Sequence, residues 1–363
     1  METGINSKIV EITQVSKDVL EKQAARKKNF EYWGPTPRDA RKAAVAKKKG
    51  LIDKRTTIKE AVDTYIKDGI NLGIGGFVNT RVPTAIVWNI VKKGVKDLTL
   101  SFQSNSICNE WIAGAMLVSN SNHVSIKRVE LSWWGYEIIG IAPLFRYLVT
   151  NQMIELDDYT NYGMSVRFKA GAMGIPFIPT RDHGGSDMEL VNRGAMMKCP
   201  FSGDNVYAVP ACNPDVGIVH TQACDMYGNA RIFGALCTCP EIAQAASHTI
   251  MSTEVILPED AIRQYPNLTE IPYPVIDAVC EQQFGSWPGA VYGMYWFDME
   301  HFLKFRSLGD EFRKTGNIDG LKRYYDEYFF SCDTWDDFIA KIVPHKKLIE
   351  LRRKDGQQPI ILT

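Results

Sequence analysis

Short apolar runs alternate with helical periods of about ten residues through the middle of this chain, and that alternation restricts its fold more than any other feature. From Thr57, the residues Ile58, Ala61, Val62, Tyr65 and Ile66 fall at helical spacing until Asp68-Gly69 ends the period. INLGIG then reads as a short buried strand. PTAIVWNIVKKG reads as a helix with Pro83 in its first turn and Gly94 at its C-cap, and DLTLSF as the next strand. ICNEWIAGAMLV (helix) and SIKRVELSW (strand) repeat the unit. NVYAVPA, DVGIVH and TIMSTEVI continue as strands, with EIAQAASH as a helix. Strands that alternate with such helices imply βαβ units, so the expected class is α/β: an open, mainly parallel sheet with helices on both faces.

Composition divides the chain into three expected parts. Residues 1–54 carry thirteen Lys or Arg against seven Asp or Glu and read as a basic N-terminal helical extension. Gly34-Pro35 and Pro37 are expected to break it into two short helices around a loop, presenting a solvated arm or a subunit-docking face. Residues 55–297 form the α/β domain. Residues 298–363 form a C-terminal helical extension packed on it, with Phe302, Phe305, Tyr324, Tyr325, Tyr328 and Phe329 at helical spacings. Across the whole chain 42 basic residues balance 42 acidic ones, so no global field favours nucleic acid or an anionic membrane as a partner. No apolar run approaches the roughly eighteen residues of a membrane span, and METGINSKIVEITQ lacks the apolar core of a signal peptide. A cytoplasmic protein is expected. Its eight cysteines then read as reduced thiols. Cys237 and Cys239 form C-x-C, but no C-x-x-C or H-x-x-x-H pair suggests a metal, and none is expected.

The segment Asp68-Gly69-Ile70-Asn71-Leu72-Gly73-Ile74-Gly75-Gly76-Phe77, continued by VNTRVP, places glycines between a buried strand and a helix start. Such a turn lets backbone approach a ligand, and free amides there can hold negative charge. The spacing lacks the GxGxxG of a dinucleotide site and the GK[ST] of a phosphate loop. DGINLGIGGF with the following Pro83 resembles the first signature of the family I coenzyme A transferases. His220-Thr221-Gln222-Ala223 with Gly228 and Arg231-Ile232-Phe233-Gly234 is similar to another segment of that family. So are Gly174-Ile175-Pro176-Phe177-Ile178-Pro179, and Val275-Ile276-Asp277-Ala278-Val279 with Gly285 and Pro288. The resemblance runs from about Thr57 to Tyr295 and is strongest to the alpha-type glutaconate CoA-transferase chains.

That resemblance implies a fold of the CoA-transferase/NagB-like kind and a chemistry built on one glutamate, which attacks the acyl-CoA thioester and becomes a glutamyl-CoA thioester before the acceptor carboxylate attacks. The family's glutamate lies in an S-E-N-G-like segment. Glu110, Glu130, Glu137 and Glu254 all lack that context. The resemblance therefore implies an alpha-type subunit with no catalytic residue of its own, completed in a hetero-oligomer by a beta-type partner that carries the glutamate. Acyl-CoA would be the substrate, with coenzyme A bound as part of it and no permanent cofactor.

This chain would supply the opposite wall. Gly75, Gly76 and Phe77 would offer amides to the reacting thioester. Asn79 and Arg81 follow directly, and Arg81 could hold a phosphate or carboxylate. Trp134, Gly135, Tyr136 and Glu137 end a strand, where large aromatics either pack in the core or line the acyl pocket; the second reading suggests a bulky or ring-bearing acyl group. Asn161, and His220 with Gln222 at the end of DVGIVH, complete the candidate substrate-binding set. His220 also has a plainer reading as a hydrogen-bonded histidine shaping its loop, and His183 in RDHGGSD reads as part of a flexible loop. Two alternatives stand: a ring-opening acyl-CoA hydrolase on the same fold, for which Asn161 stands where an acid would serve, and a sugar-phosphate-binding module, whose phosphate cluster is not found.

Overall fold

Adjacent residues of the central strands point to opposite faces, and this divides the interior into two apolar clusters. Ile218, Ile250 and Ala278 belong to one, and their neighbours Val219, Met251 and Val279 to the other. These positions are those of a computed structural model, which describes residues 30–137 and 139–355 together with Glu21, Ala24, Ala25 and Lys28. Its strands are β1 (Asn71–Ile74), β2 (Leu98–Asn105), β3 (Ile126–Tyr136), β4 (Gly140–Ile141), β5 (Glu155–Asp158) and β6 (Phe177–Thr180). They continue with β7 (Ala195–Lys198), β8 (Asn205–Pro210), β9 (Val216–Cys224), β10 (Ala230–Arg231), β11 (His248–Ile256) and β12 (Ala278–Glu281).

The main sheet runs β12-β11-β9-β1-β2-β3, with β5 added on β3, and all of these pairs are parallel. Only the short β4 and β10 pair antiparallel, on β3 and β9. Helices Thr84–Lys93 and Ile107–Val118 pack on one face, and Asn161–Met173 and Cys239–Ala245 on the other. The expected α/β class with its mainly parallel sheet is what the chain forms. NVYAVPA does form a strand, but as β8 at the centre of a separate antiparallel sheet, β6-β8-β7. The flanking strands carry little signal in the sequence: Pro179 lies in β6, a position tolerated because that strand is an edge.

Pro37 starts a helix instead of breaking one. Thr36 caps Pro37–Ala46 by accepting from the Asp39 N–H, and Pro37 needs no N–H at the first helical position. The helix expected before Gly34 falls largely outside the described residues. The aromatic residues of the tail enter the same cluster as the sheet: Phe302, Phe305, Tyr324, Tyr325 and Phe329 pack with Trp88 and Trp111. Tyr324 stacks on Tyr328 with centroids 4.3 Å apart, and the Trp111 indole N–H donates to the Tyr324 hydroxyl at 3.0 Å. Among the described residues no helix is long and apolar enough to cross a membrane.

Candidate functional site

The carboxyl ends of β1, β2 and β3 meet at one edge of the sheet, the edge where parallel sheets place ligands. After β1 the chain turns through Gly75 and Gly76 into a tight loop closed by mutual hydrogen bonds between Phe77 and Thr80, 2.9 and 2.8 Å. The end of β2 stitches this loop in place. Asn105 Nδ2 donates to the Gly75 carbonyl at 3.3 Å, Ser106 Oγ to the Val78 carbonyl at 2.6 Å, and the Val78 N–H to the Ser104 carbonyl at 3.0 Å. Val78 and Arg81 take φ of 54° and 50°, a conformation costly for residues with a Cβ and most of all for a β-branched one.

Beside the loop lies a small cavity of about 20 Å³, lined by Asn79, Ser106, Tyr136, Glu137 and the apolar residues Val78, Ile139, Phe297, Met299 and Phe302. Asn79 and the adjacent pair Tyr136 and Glu137, from two segments far apart in the sequence, therefore meet at one space. Ser106 and the tail residues Phe297, Met299 and Phe302 were missed. Ser106 could have been found from its place just after a parallel strand; the aromatic tail read only as packing.

Other expected site residues lie elsewhere. The amides of the glycine turn are all used inside the chain: Gly75 N–H donates to the Ile218 carbonyl at 2.9 Å, Gly76 N–H to Cys239 Sγ at 3.1 Å, and Phe77 N–H to Thr80. Gly75 and Gly76 are buried, and the turn's N–H groups point inward. Arg81 is fully buried, with Nη2 donating to the carbonyls of Ala235 and Leu236, so it staples the loop before Cys237 instead of reaching a ligand. Trp134 is 1% exposed and stacks on Phe145 at 4.7 Å and edge-on to Phe102 at 5.8 Å. It belongs to the core, because the strand runs on to Tyr136 and is covered by the helix Pro143–Thr150. Gly135 is buried in that strand against the Trp133 ring.

His220 does not end a strand either, since β9 continues to Cys224. Its Nδ1 lies 2.8 Å from Ser252 Oγ and its Nε2 2.9 Å from Glu254 Oε1. Glu254 also accepts from the N–H groups of Phe284 and Gly285 and from the Tyr295 hydroxyl at 2.6 Å. The plainer reading of His220 is the one this network supports. Gln222, also buried, donates to the carbonyls of Phe233 and Tyr292 at 2.9 and 3.2 Å. Asn161 is exposed at the same sheet edge, its Oδ1 accepting from Ser132 Oγ at 2.9 Å. His183 is buried against Tyr207 and bonded to Asp182, so it is not part of a mobile surface loop.

The four glutamates sort by exposure. Glu110 is buried and caps Pro143–Thr150, accepting from Phe145 N–H at 3.0 Å and Leu144 N–H at 3.4 Å; burial raises its pKa to about 8 despite those bonds. Glu130 is buried between Arg167, at 2.7 Å, and Arg193. Burial alone would raise its pKa, but the two guanidinium groups outweigh it and hold the value at about 2. Glu254 is buried in the network above. Only Glu137 is exposed, on the rim of the cavity.

Residues 55–282 match the model of the family described as Coenzyme A transferase. Over 309 residues the chain is 35% identical to an uncharacterized protein of Archaeoglobus fulgidus, a match covering 85% of this chain and 66% of that longer one. It is 29% identical over 294 residues to one of the subunits of 3-oxoadipate CoA-transferase from Pseudomonas knackmussii, covering 80% of this chain and 98% of that one. The crystal structure of glutaconate coenzyme A-transferase from Acidaminococcus fermentans superimposes with a TM-score of 0.74 at 25% identity, covering 82% of this chain and 95% of that one.

Proposed function

Because this chain belongs to the coenzyme A transferase family, we propose that it is the alpha-type subunit of a two-component CoA-transferase, moving CoA from an acyl-CoA to an acceptor carboxylic acid. The observation that carries this reading is the convergence of Asn79, Tyr136 and Glu137 on one cavity beside the glycine turn, at the ligand-binding edge of the sheet. A second polypeptide fits what this chain lacks. Glu110, Glu130 and Glu254 are spent on a helix cap, an ion cluster and a loop, so none is free to attack a thioester. The nucleophilic glutamate is assigned to a beta-type partner, and the 3-oxoadipate and glutaconate relatives, each named as a single subunit of its CoA-transferase, support that division.

In the assembled site the Gly75–Phe77 turn lies at the wall facing the thioester, and its two glycines let it pack tightly, since a Cβ at either would collide with this chain's own atoms. The acyl group lies against the wall of the adjoining cavity. Val78, Ile139, Phe297, Met299 and Phe302 make that wall apolar, which favours an apolar acyl body; a bulky or ring-bearing one would fill space completed by the partner subunit. Asn79 sits where it can donate to a polar atom of the acyl group.

The test is to incubate the reconstituted two-subunit enzyme with acyl-CoA and then reduce it with borohydride. A modified glutamate in the partner, together with an inactive isolated alpha-type chain, is the expected result. A modified Glu137 would overturn the assignment, and CoA release to water without an acceptor acid would favour the ring-opening hydrolase instead.

A further inference from the structure

A second cleft lies at the opposite, amino-terminal end of the sheet. Its volume is about 470 Å³, and it is bounded by the segment after the helix Pro37–Ala46, by Tyr65, and by the starts of β11 and β12. Three lysines of the basic N-terminal segment, Lys47, Lys48 and Lys54, face it together with His248. Against them stands one lining carboxylate, Asp277, 2.9 Å from Lys47 Nζ and 3.7 Å from His248 Nδ1. Asp225 acts on Lys54 only at longer range and is committed to the turn Tyr227–Asn229, from which it accepts three backbone N–H bonds.

The ammonium groups are held in place by backbone. Lys47 Nζ donates to the Val275 carbonyl at 2.8 Å and Lys54 Nζ to the Tyr273 carbonyl at 2.6 Å, leaving further N–H donors on Lys54. Burial depresses the pKa of both lysines by more than the attraction of Asp277 raises it. Next to the lysines, Tyr65 and the half-exposed His248 make a tilted ring contact, with centroids 5.0 Å apart and an interplanar angle of 35°. A pair of rings thus adjoins a cleft whose three lysines face one lining carboxylate.

We infer that this cleft is a binding site for a nucleoside phosphate, with the phosphates on Lys47, Lys48 and Lys54 and the base against the Tyr65–His248 rings. Lysine serves as a point charge for phosphate, and base stacking on an aromatic face accepts any ring. The site gives the basic N-terminal segment a task separate from the transferase edge, and it does not depend on the reaction proposed above.

The experiment is calorimetric titration of the two-subunit enzyme with ADP, pyrophosphate and adenosine, each with and without saturating coenzyme A. ADP is expected to bind once per alpha-type chain, unaffected by coenzyme A, with pyrophosphate weaker and adenosine weaker still. Lys48→Glu, a change at an exposed residue that leaves folding intact, should weaken ADP about tenfold or more, the scale of losing one charge-assisted phosphate contact. His248→Ala should weaken ADP several-fold while leaving pyrophosphate unchanged. Absence of ADP binding, unchanged affinity in Lys48→Glu, or displacement of ADP by coenzyme A would each overturn the inference; the last would place the nucleotide in the acyl-CoA site.

Discussion

The Gly76 N–H donates to Cys239 Sγ at 3.1 Å, tying the glycine turn to the first residue of the helix Cys239–Ala245. Gly76 has φ +84°, and a Cβ built there would lie 2.8 Å from both the Arg81 carbonyl oxygen and Val82 Cα. Both contacts are with backbone, which cannot swing aside. Gly76→Val is therefore expected to destabilise the fold by about 2 to 5 kcal/mol, combining a strained dihedral with overpacking. Cys239→Ala, which removes only the sulfur acceptor, should cost about 1 kcal/mol. Urea unfolding of the two variants measures both, and a Gly76→Val protein as stable as wild type would contradict this geometry.

Trp134 separates a packing role from a substrate role. It is nearly inaccessible and stacked on Phe145, so Trp134→Ala opens a large cavity in the core. The expected loss is about 3 to 5 kcal/mol of stability. The ratio of kcat/KM values for a bulky acyl-CoA and for acetyl-CoA should stay as in wild type. A selective fall for the bulky substrate would instead put the ring in the acyl site.

Glu110 makes a pH dependence. Its pKa is about 8 in the folded chain against an ordinary 4.5, so between these values the folded state holds a proton that the unfolded state has lost. Stability must then fall as pH rises from about 5 to 8, by on the order of 1 kcal/mol per unit. Asp158, raised to about 7 by burial and by Asp157, adds to the same slope. Glu130 acts oppositely: its contribution is complete above the ordinary carboxylate range and is lost as pH drops toward about 2. Glu110→Gln keeps an acceptor for only one of the Phe145 and Leu144 amides, so it costs some stability at every pH, but it removes the titrating group and should reduce the slope between pH 5 and 8. Melting temperatures of wild type and variant over that range provide the comparison, and parallel curves would show that Glu110 titrates normally.

The central strands were legible because β9, β11 and β1 are buried along nearly their whole length and read as apolar runs between turn signals. The antiparallel β6-β8-β7 sheet was legible only in its central strand, because Pro179 in β6 and the exposed Met196 in β7 blur the flanking ones. At the site, glycine spacing located the turn correctly but could not tell where its amides point. That is decided by long-range partners, the Ile218 carbonyl and the Cys239 sulfur, far away in sequence. Arg81 and Trp134, expected as ligand contacts, are buried for the same reason: the loop at Ala235 and Leu236, and the helix beginning at Pro143, cover them. Glu137 directly follows β3, and Asn79 lies in the loop after β1, positions that topology alone sends to the ligand edge.

Glu137 sets a charge rule for the acyl group. It is the exposed acid on a cavity otherwise lined mainly by apolar side chains, with Asn79, Ser106 and the Tyr136 ring as its polar neighbours. An acyl chain ending in a second carboxylate would bring like charges together there. At about 4 Å that repulsion is worth about 1 kcal/mol in water and more in the partly closed site. Glu137→Gln removes the charge and keeps the shape, so kcat/KM for glutaryl-CoA should rise about five- to tenfold relative to butyryl-CoA, which has no second charge. The ratio is the quantity to measure, because a general effect on turnover cancels in it. An unchanged ratio would mean that the acyl group lies away from Glu137, and the apolar cavity would then lose its assignment as the acyl pocket.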